Sequence, residues 1–290
     1  MSFKHNDIVA GSSTLSSSGS LLGVGYHSWF VWFLSACFFF FEYVVRVSPS
    51  VMAPWLMQDF HTTALGVGTL AAMFYYPYVL MQLPVGAMVD RWGAHKLLVV
   101  MTALCAVGCY AFAYAPNLYI AGLARMCLGF ASAFAFVGTL KLVTVWFPPQ
   151  RFALLAGCTQ GLGMLGAAMG EAPMSFMVRE LGWQHATLFC GGIFALLSIL
   201  IGFFVRDAYH GRSVVRKDKS SKALPLCRGF FIVLRRKDMW LNAGFAGFLF
   251  ASSAAFAELW GVTYLQNAYA LTHQNAANAV VMIFIGWGLG

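Results

Sequence analysis

Residues 86–96 read Gly86-Ala-Met-Val-Asp90-Arg91-Trp-Gly93-Ala-His95-Lys96, a short polar stretch between two long apolar runs. Gly86 has no side chain to hold two backbones apart, so close approach of helices is open to it. Gly93 permits a tight turn. Asp90 is an anion of the kind that a helix amino terminus favours through its macrodipole. A polar turn this short, between segments long enough to cross a bilayer, belongs to a helical hairpin whose solvent is lipid.

Working outward, further apolar runs of about 20 residues follow one another with short breaks. They predict helices over roughly 28–54, 66–89, 97–115, 118–146, 152–174, 185–205 and 239–264, with an eighth starting near 276. The breaks carry turn residues: Asp59 and His61 after the first helix, Pro116-Asn117 after the third, and Pro148-Pro149-Gln150-Arg151 after the fourth. The fold class is therefore an all-α membrane protein. Composition agrees. The chain is 60% hydrophobic and 10% charged, with mean hydropathy +0.73, whereas soluble domains carry about 25% charged residues.

The net charge of +8 is not a nucleic-acid signal, because the basic residues are confined to particular segments. With the amino terminus inside, the inner segments hold Lys4, Arg91, Lys96, Lys141, Arg151 and the ten basic residues from Arg206 to Lys237. The outer loops hold Arg179 alone, and Arg46 and Arg125 lie within helices. The positive-inside rule then predicts a cytoplasmic amino terminus. The Ser- and Gly-rich residues 1–27 read as a disordered cytoplasmic tail. Residues 28–205 read as a six-helix bundle and 206–238 as a basic cytoplasmic linker, solvated and able to meet anionic lipid. Of the seven cysteines, all but Cys227 fall in apolar stretches and read as packing residues. Cys105 and Cys109 share a helix face with no His or carboxylate cluster, so neither a metal site nor a cofactor is expected.

Six helices, a long basic inner linker and then more helices resemble the major facilitator superfamily, in which two six-helix halves enclose a central cavity. The stretch 86–96 is similar to that superfamily's loop between helices two and three. Gly86, Asp90, Arg91, Gly93 and Lys96 match its pattern, and Ala94 replaces a usual basic residue. The resemblance implies a conformational latch, in which Asp90 meets a helix of the carboxyl-terminal half and helps hold the outward-facing state. Arg125 and Gly129 resemble the family's Arg-three residues-Gly pattern in helix four. Such an arginine should face the interior or pair. In helix five, Gly157/Gly161 and Gly166/Gly170 form two small-xxx-small pairs suited to close packing. Glu171 stands where the drug-antiporter pattern has Pro, so that branch is not implied. The resemblance covers about 28–290 and stops partway through helix eight. Relatives have about twelve helices, so 239–290 is expected to be an incomplete carboxyl-terminal half, with truncation as the expected cause.

The first helix is similar to that of organic-anion transporters in the superfamily. Arg46 lies eight residues before Pro54, with Val45 where an Asp is common. In that branch the arginine helps bind the substrate's anionic group. Glu42 and Arg46 are four apart and share a helix face. Two readings of the pair stand: a neutralised pair that permits insertion, or a cavity-facing pair in which Arg46 meets an anion and Glu42 takes up a proton. Glu258 in helix seven is either a second coupling carboxylate or an interfacial glutamate near the outer end. Glu171 is expected near an outer end and solvated. Tyr75, Tyr76, Tyr78 and Gln82 on helix two are cavity-lining candidates, with packing or belt roles as the alternative.

The chain carries no Walker A pattern, dinucleotide-binding fingerprint or catalytic triad, and an enzyme is not expected. The function expected is secondary active transport, as a proton symporter, of a small polar solute in a bacterial inner membrane. An organic anion, amino acid or short peptide would suit it. The expected partners are solute, proton, lipid bilayer and a missing carboxyl-terminal half, and no nucleic acid. A transporter-like sensor that signals through 206–238, and a product without transport activity, are the alternatives.

Overall fold

A computed structural model describes residues 25–206, 235 and 237–289. The expected tail and nearly all of the linker, with Cys227, lie outside the described residues. Every regular element among those described is helical. Six of the helices are long and apolar enough to cross a membrane. Large apolar side chains such as Leu80, Tyr119, Leu123 and Phe203 are exposed on their outer faces. Lipid rather than water suits such a surface. The protein is a multi-pass membrane protein.

The predicted first helix is two. α1 (Tyr26–Val47) gives way at Ser48 to α2 (Pro49–Asp59). Pro49 has no N–H and suits a first helical position, so the ladder breaks there. The predicted second helix also divides, into α3 (Ala64–Met81) and α4 (Pro84–Trp92), with Pro84 again opening the second piece. α5 (Ala94–Ala113) follows directly. Gly93 sits between α4 and α5 at φ 87° and ψ 146°, a conformation that L side chains rarely adopt. α6 (Leu118–Trp146) starts where Asn117 accepts a hydrogen bond from the Ile120 N–H at 3.0 Å, a side-chain cap that satisfies an otherwise orphaned donor.

After a short 3₁₀ turn (Pro149–Arg151), α7 (Phe152–Leu181) runs seven residues past its expected end and through Pro173. Proline is tolerated within membrane helices because neighbours re-satisfy the freed backbone. α8 (Trp183–Phe204) follows the second turn glycine, Gly182, at φ 86°. The seventh span comprises α9 (Lys237–Ala255), a π-helical turn (Phe256–Trp260) and α10 (Gly261–Tyr269). α11 (His273–Leu289) begins three residues before its expected start. α1 lies at the centre, against α6, α7 and α8; α5 packs between α6 and α8, α3 against α6, and α11 against α7.

Candidate functional site

The break at Ser48 explains the polar centre of the bundle. In an unbroken helix the Val45 carbonyl would accept from the N–H of residue 49, which Pro49 lacks. Arg125 of α6 takes that place. Its Nη1 donates to Val45 O at 2.9 Å and its Nη2 to Arg46 O at 3.3 Å. The Ser48 hydroxyl also donates to Val45 O at 3.0 Å. Arg125 is buried, and two carbonyl dipoles stabilise its charge where lipid cannot.

Glu42 and Arg46, one turn apart on α1, are both buried. Arg46 Nε donates to Glu42 Oε1 at 2.9 Å, and Nη2 lies 2.6 Å from the same oxygen. The Arg46 guanidinium also lies over the Tyr43 ring (4.3 Å) and the Tyr78 ring (4.5 Å). The Phe74 ring lies between the two arginines, 5.7 Å from Arg46 and 4.9 Å from Arg125. Ring faces attract cations, more strongly where water is excluded.

Glu258 completes the group. The π turn carries it inward, where it is buried and accepts a hydrogen bond from the Tyr75 hydroxyl. Its expected alternative, an interfacial position, does not describe this placement. Glu258 and Tyr75 lie within electrostatic reach of Arg46, and Glu42 within reach of Glu258 and Arg125. Beside them, Tyr43, Gln160, Met164, Glu258, Phe284 and Trp287 line a pocket of about 70 Å³, room for little more than two waters at about 30 Å³ each.

Not every candidate joins this centre. Tyr75 and Tyr78 turn inward, one helical turn apart, while Tyr76 is 62% exposed. Gln82 is exposed, because its N–H bonds back three residues to Val79 O at 3.2 Å and the tightened end of α3 turns it away. Glu171 corrects the expectation of a solvated outer carboxylate: it is fully buried and accepts a 2.6 Å hydrogen bond from Ser50. A signal was present, since Gly163, Ala167 and Gly170 form a small-residue face on α7 and Glu171 borders it. Tyr43 was also missed, having no charge to mark it within an aromatic run.

The glycine pairs behave differently. A Cβ at Gly166 would strike the Phe40 carbonyl, and one at Gly170 would strike Val47 and the Val44 carbonyl, so this pair packs on α1. A Cβ at Gly129 would strike the Phe74 carbonyl of α3. At Gly157 and Gly161 a Cβ would meet nothing within 4 Å, so no close packing is seen there. They lie on a face of α7 turned from α1; Gly161 lines an apolar groove with Leu165 and Phe284. Gly86 also has open space around it, and the expected close approach is not seen among the described residues. Asp90 pairs with Lys141 at 2.6 Å. Arg91 and Lys96 are exposed on either side of the Gly93 turn.

The sequence pattern of the Major Facilitator Superfamily matches residues 11–290. The chain is 27% identical over 240 residues to the "Probable sulfoacetate transporter SauU" of Cupriavidus necator, covering 79% of this chain and 55% of that protein. It is 26% identical to the "Uncharacterized transporter YybO" of Bacillus subtilis, covering 85% and 59%. It is 23% identical to the "Probable galactarate/D-glucarate transporter GudP" of Escherichia coli, covering 55% and 37%. The chain thus spans little more than half the length of the first two. Among solved structures, a bacterial homologue of the human lysosomal transporter Spinster, inward-facing and unoccupied, superposes with a TM-score of 0.71. The match has 15% identity and covers 89% of this chain and 59% of that one, a likeness of fold.

Proposed function

The chain belongs to the major facilitator superfamily, and from that premise we propose that it takes part in moving a small organic anion across a bacterial inner membrane by alternating access, coupled to protons. The observation that carries the reading is Arg46, a buried arginine in the central helix, seated between two tyrosine rings beside the pocket. A cation at membrane depth is a functional residue by default. Arg46 is held by a single carboxylate oxygen of Glu42. An anion arriving at the pocket competes with Glu42 for the guanidinium, and protonation of Glu42 frees it. Uptake of the anion and of a proton are then linked through one ion pair. Glu258, which lines the pocket together with Tyr43, supplies a second carboxylate on the seventh span. Two of the relatives above are named for transport of small organic anions, which supports the substrate class. The concentration of basic residues on one side supports a cytoplasmic amino terminus.

The test is uptake by vesicles carrying the protein, with an imposed pH gradient and a panel of small sulfonates, dicarboxylates and sugar acids. Gradient-driven accumulation of an anion, abolished in Arg46→Gln, is expected. Accumulation of an anion that survives Arg46→Gln, or correctly inserted protein that accumulates none of the panel, overturns the reading.

A further inference from the structure

At the end of the bundle away from the Gly93 turn, a second carboxylate sits apart from the Arg46 centre. Glu171 of α7 is fully buried. Its Oε1 accepts from the Ser50 hydroxyl of α2 at 2.6 Å, and its Oε2 is buried with no hydrogen-bond partner among the described residues. The next residue is a contact between spans: the Ala172 carbonyl accepts from Gln274 Nε2 of α11 at 3.1 Å. Beside it His273 of α11 meets the Trp55 ring of α2 edge-on at 5.3 Å. Glu171 therefore lies where α2, α7 and α11 meet.

Among the described residues, the charged and titratable groups around it give it no cation. On α7, Arg179 and Glu180 pair with each other at 3.0 Å on the surface. On α1, Arg46 is held by Glu42. On α2, Asp59 is held by Trp183 and Gln184. On the π turn, Glu258 acts on Glu171 as a like charge. On α11, His273 turns its Nδ1 toward Gln266 at 3.2 Å. On α10, the titratable groups are Tyr264 and Tyr269, both exposed. An ionised carboxylate with one donor, no cation and a second carboxylate in its field is costly in a buried site, and the neutral acid is far less so.

We propose that Glu171 and Ser50 form a proton-binding site that seals the junction of α2, α7 and α11. The neutral acid fits the packed junction. When α11 parts from α7, water enters, the carboxyl O–H bond breaks, the proton passes to water and the carboxylate remains hydrated. Low pH therefore favours the sealed junction and high pH the open one. This deepens the transport reading, since a proton taken up on one side and released on the other is what coupling requires.

The test needs no substrate. Ala277 is fully buried on α11, so Ala277→Cys reports opening by its reaction with a water-soluble maleimide, read by peptide mass spectrometry on the purified protein across a pH series. The ratio of its labelling with Glu171 intact to that with Glu171→Gln cancels the thiol's own pH dependence. That ratio is expected near one at low pH and to rise by up to about tenfold per pH unit as the single group titrates. His273→Gln, the control for the junction's histidine, should leave the rise in place. A flat ratio, or a rise abolished by His273→Gln, overturns the proposal. Where Glu171→Gln does not fold, Ser50→Ala serves instead. Loss of a donor to the carboxylate displaces the labelling profile along the pH axis, and an unmoved profile overturns the proposal. Failure here leaves the Arg46 anion site standing, and failure of anion uptake leaves this result standing.

Discussion

The Tyr75 hydroxyl donates to Glu258 Oε2, joining α3 to the π turn of the seventh span across 183 positions of sequence. A π turn admits an extra residue per turn and is common at functional sites; here it turns a carboxylate inward. Tyr75→Phe keeps the ring and removes the donor. A buried acceptor left without its partner costs about 1–3 kcal/mol, so the detergent-solubilised protein should melt at lower temperature. Glu258→Gln, whose amide oxygen still accepts from Tyr75, should lose less. Equal melting of Tyr75→Phe and the parent would show that the bond does not hold the spans together.

The Glu42–Arg46 pair lends itself to a double-mutant cycle. Both side chains are buried, so removing one partner strands the other, at about 3–5 kcal/mol. Arg46→Gln and Glu42→Gln should each depress the melting temperature sharply, and the double variant should recover much of the loss. Single changes that simply add in the double variant would mean that the two groups are not coupled. Arg125 is the useful contrast. It pairs with backbone carbonyls, so Arg125→Lys should be poorly tolerated, because an ammonium does not span two fixed acceptors as a planar guanidinium does.

The glycines of α7 divide into two sets with opposite expected behaviour. Gly166→Ala and Gly170→Ala place a methyl group against α1 backbone carbonyls, and overpacking of this kind costs about 1–3 kcal/mol. Gly157→Ala and Gly161→Ala place it in open space, where a helical Gly→Ala change stabilises by about 0.4–1 kcal/mol. Thermal melts of the four single variants decide the matter. If all four fall together, packing on α1 is not what distinguishes the two sets.

What the sequence made legible follows from this physics. Glu42 and Arg46 can be paired from sequence because helix geometry fixes the positions of residues four apart. The spans themselves were legible because lipid demands long apolar runs. The breaks at Pro49 and Pro84 are not legible in hydropathy, which is continuous across both prolines. Tyr75 and Glu258 were both candidates, but nothing local could bring them together. Glu171 was misplaced for a general reason. A membrane helix is apolar toward both lipid and neighbours, so periodicity gives little sign of which face is buried. Only the small residues beside it pointed to the packed side.

Asp90 and Lys141 meet at 2.6 Å, with Asp90 67% exposed and Lys141 39% exposed. Exposed pairs of this kind contribute about 0–1 kcal/mol, so the pair alone does not explain the stretch 86–96. Gly93 does more for the local fold, since its φ of 87° admits no ordinary side chain without strain. Gly93→Ala should therefore lower the melting temperature, whereas Asp90→Asn should barely move it and should leave the insertion of α3, α4 and α5 unchanged. If Asp90 is a conformational latch, its loss should show in transport and not in topology. The check is a substituted-cysteine topology assay on both variants, with vesicle uptake measured in parallel. Misoriented spans in Asp90→Asn would make Asp90 a determinant of insertion and sink the latch reading.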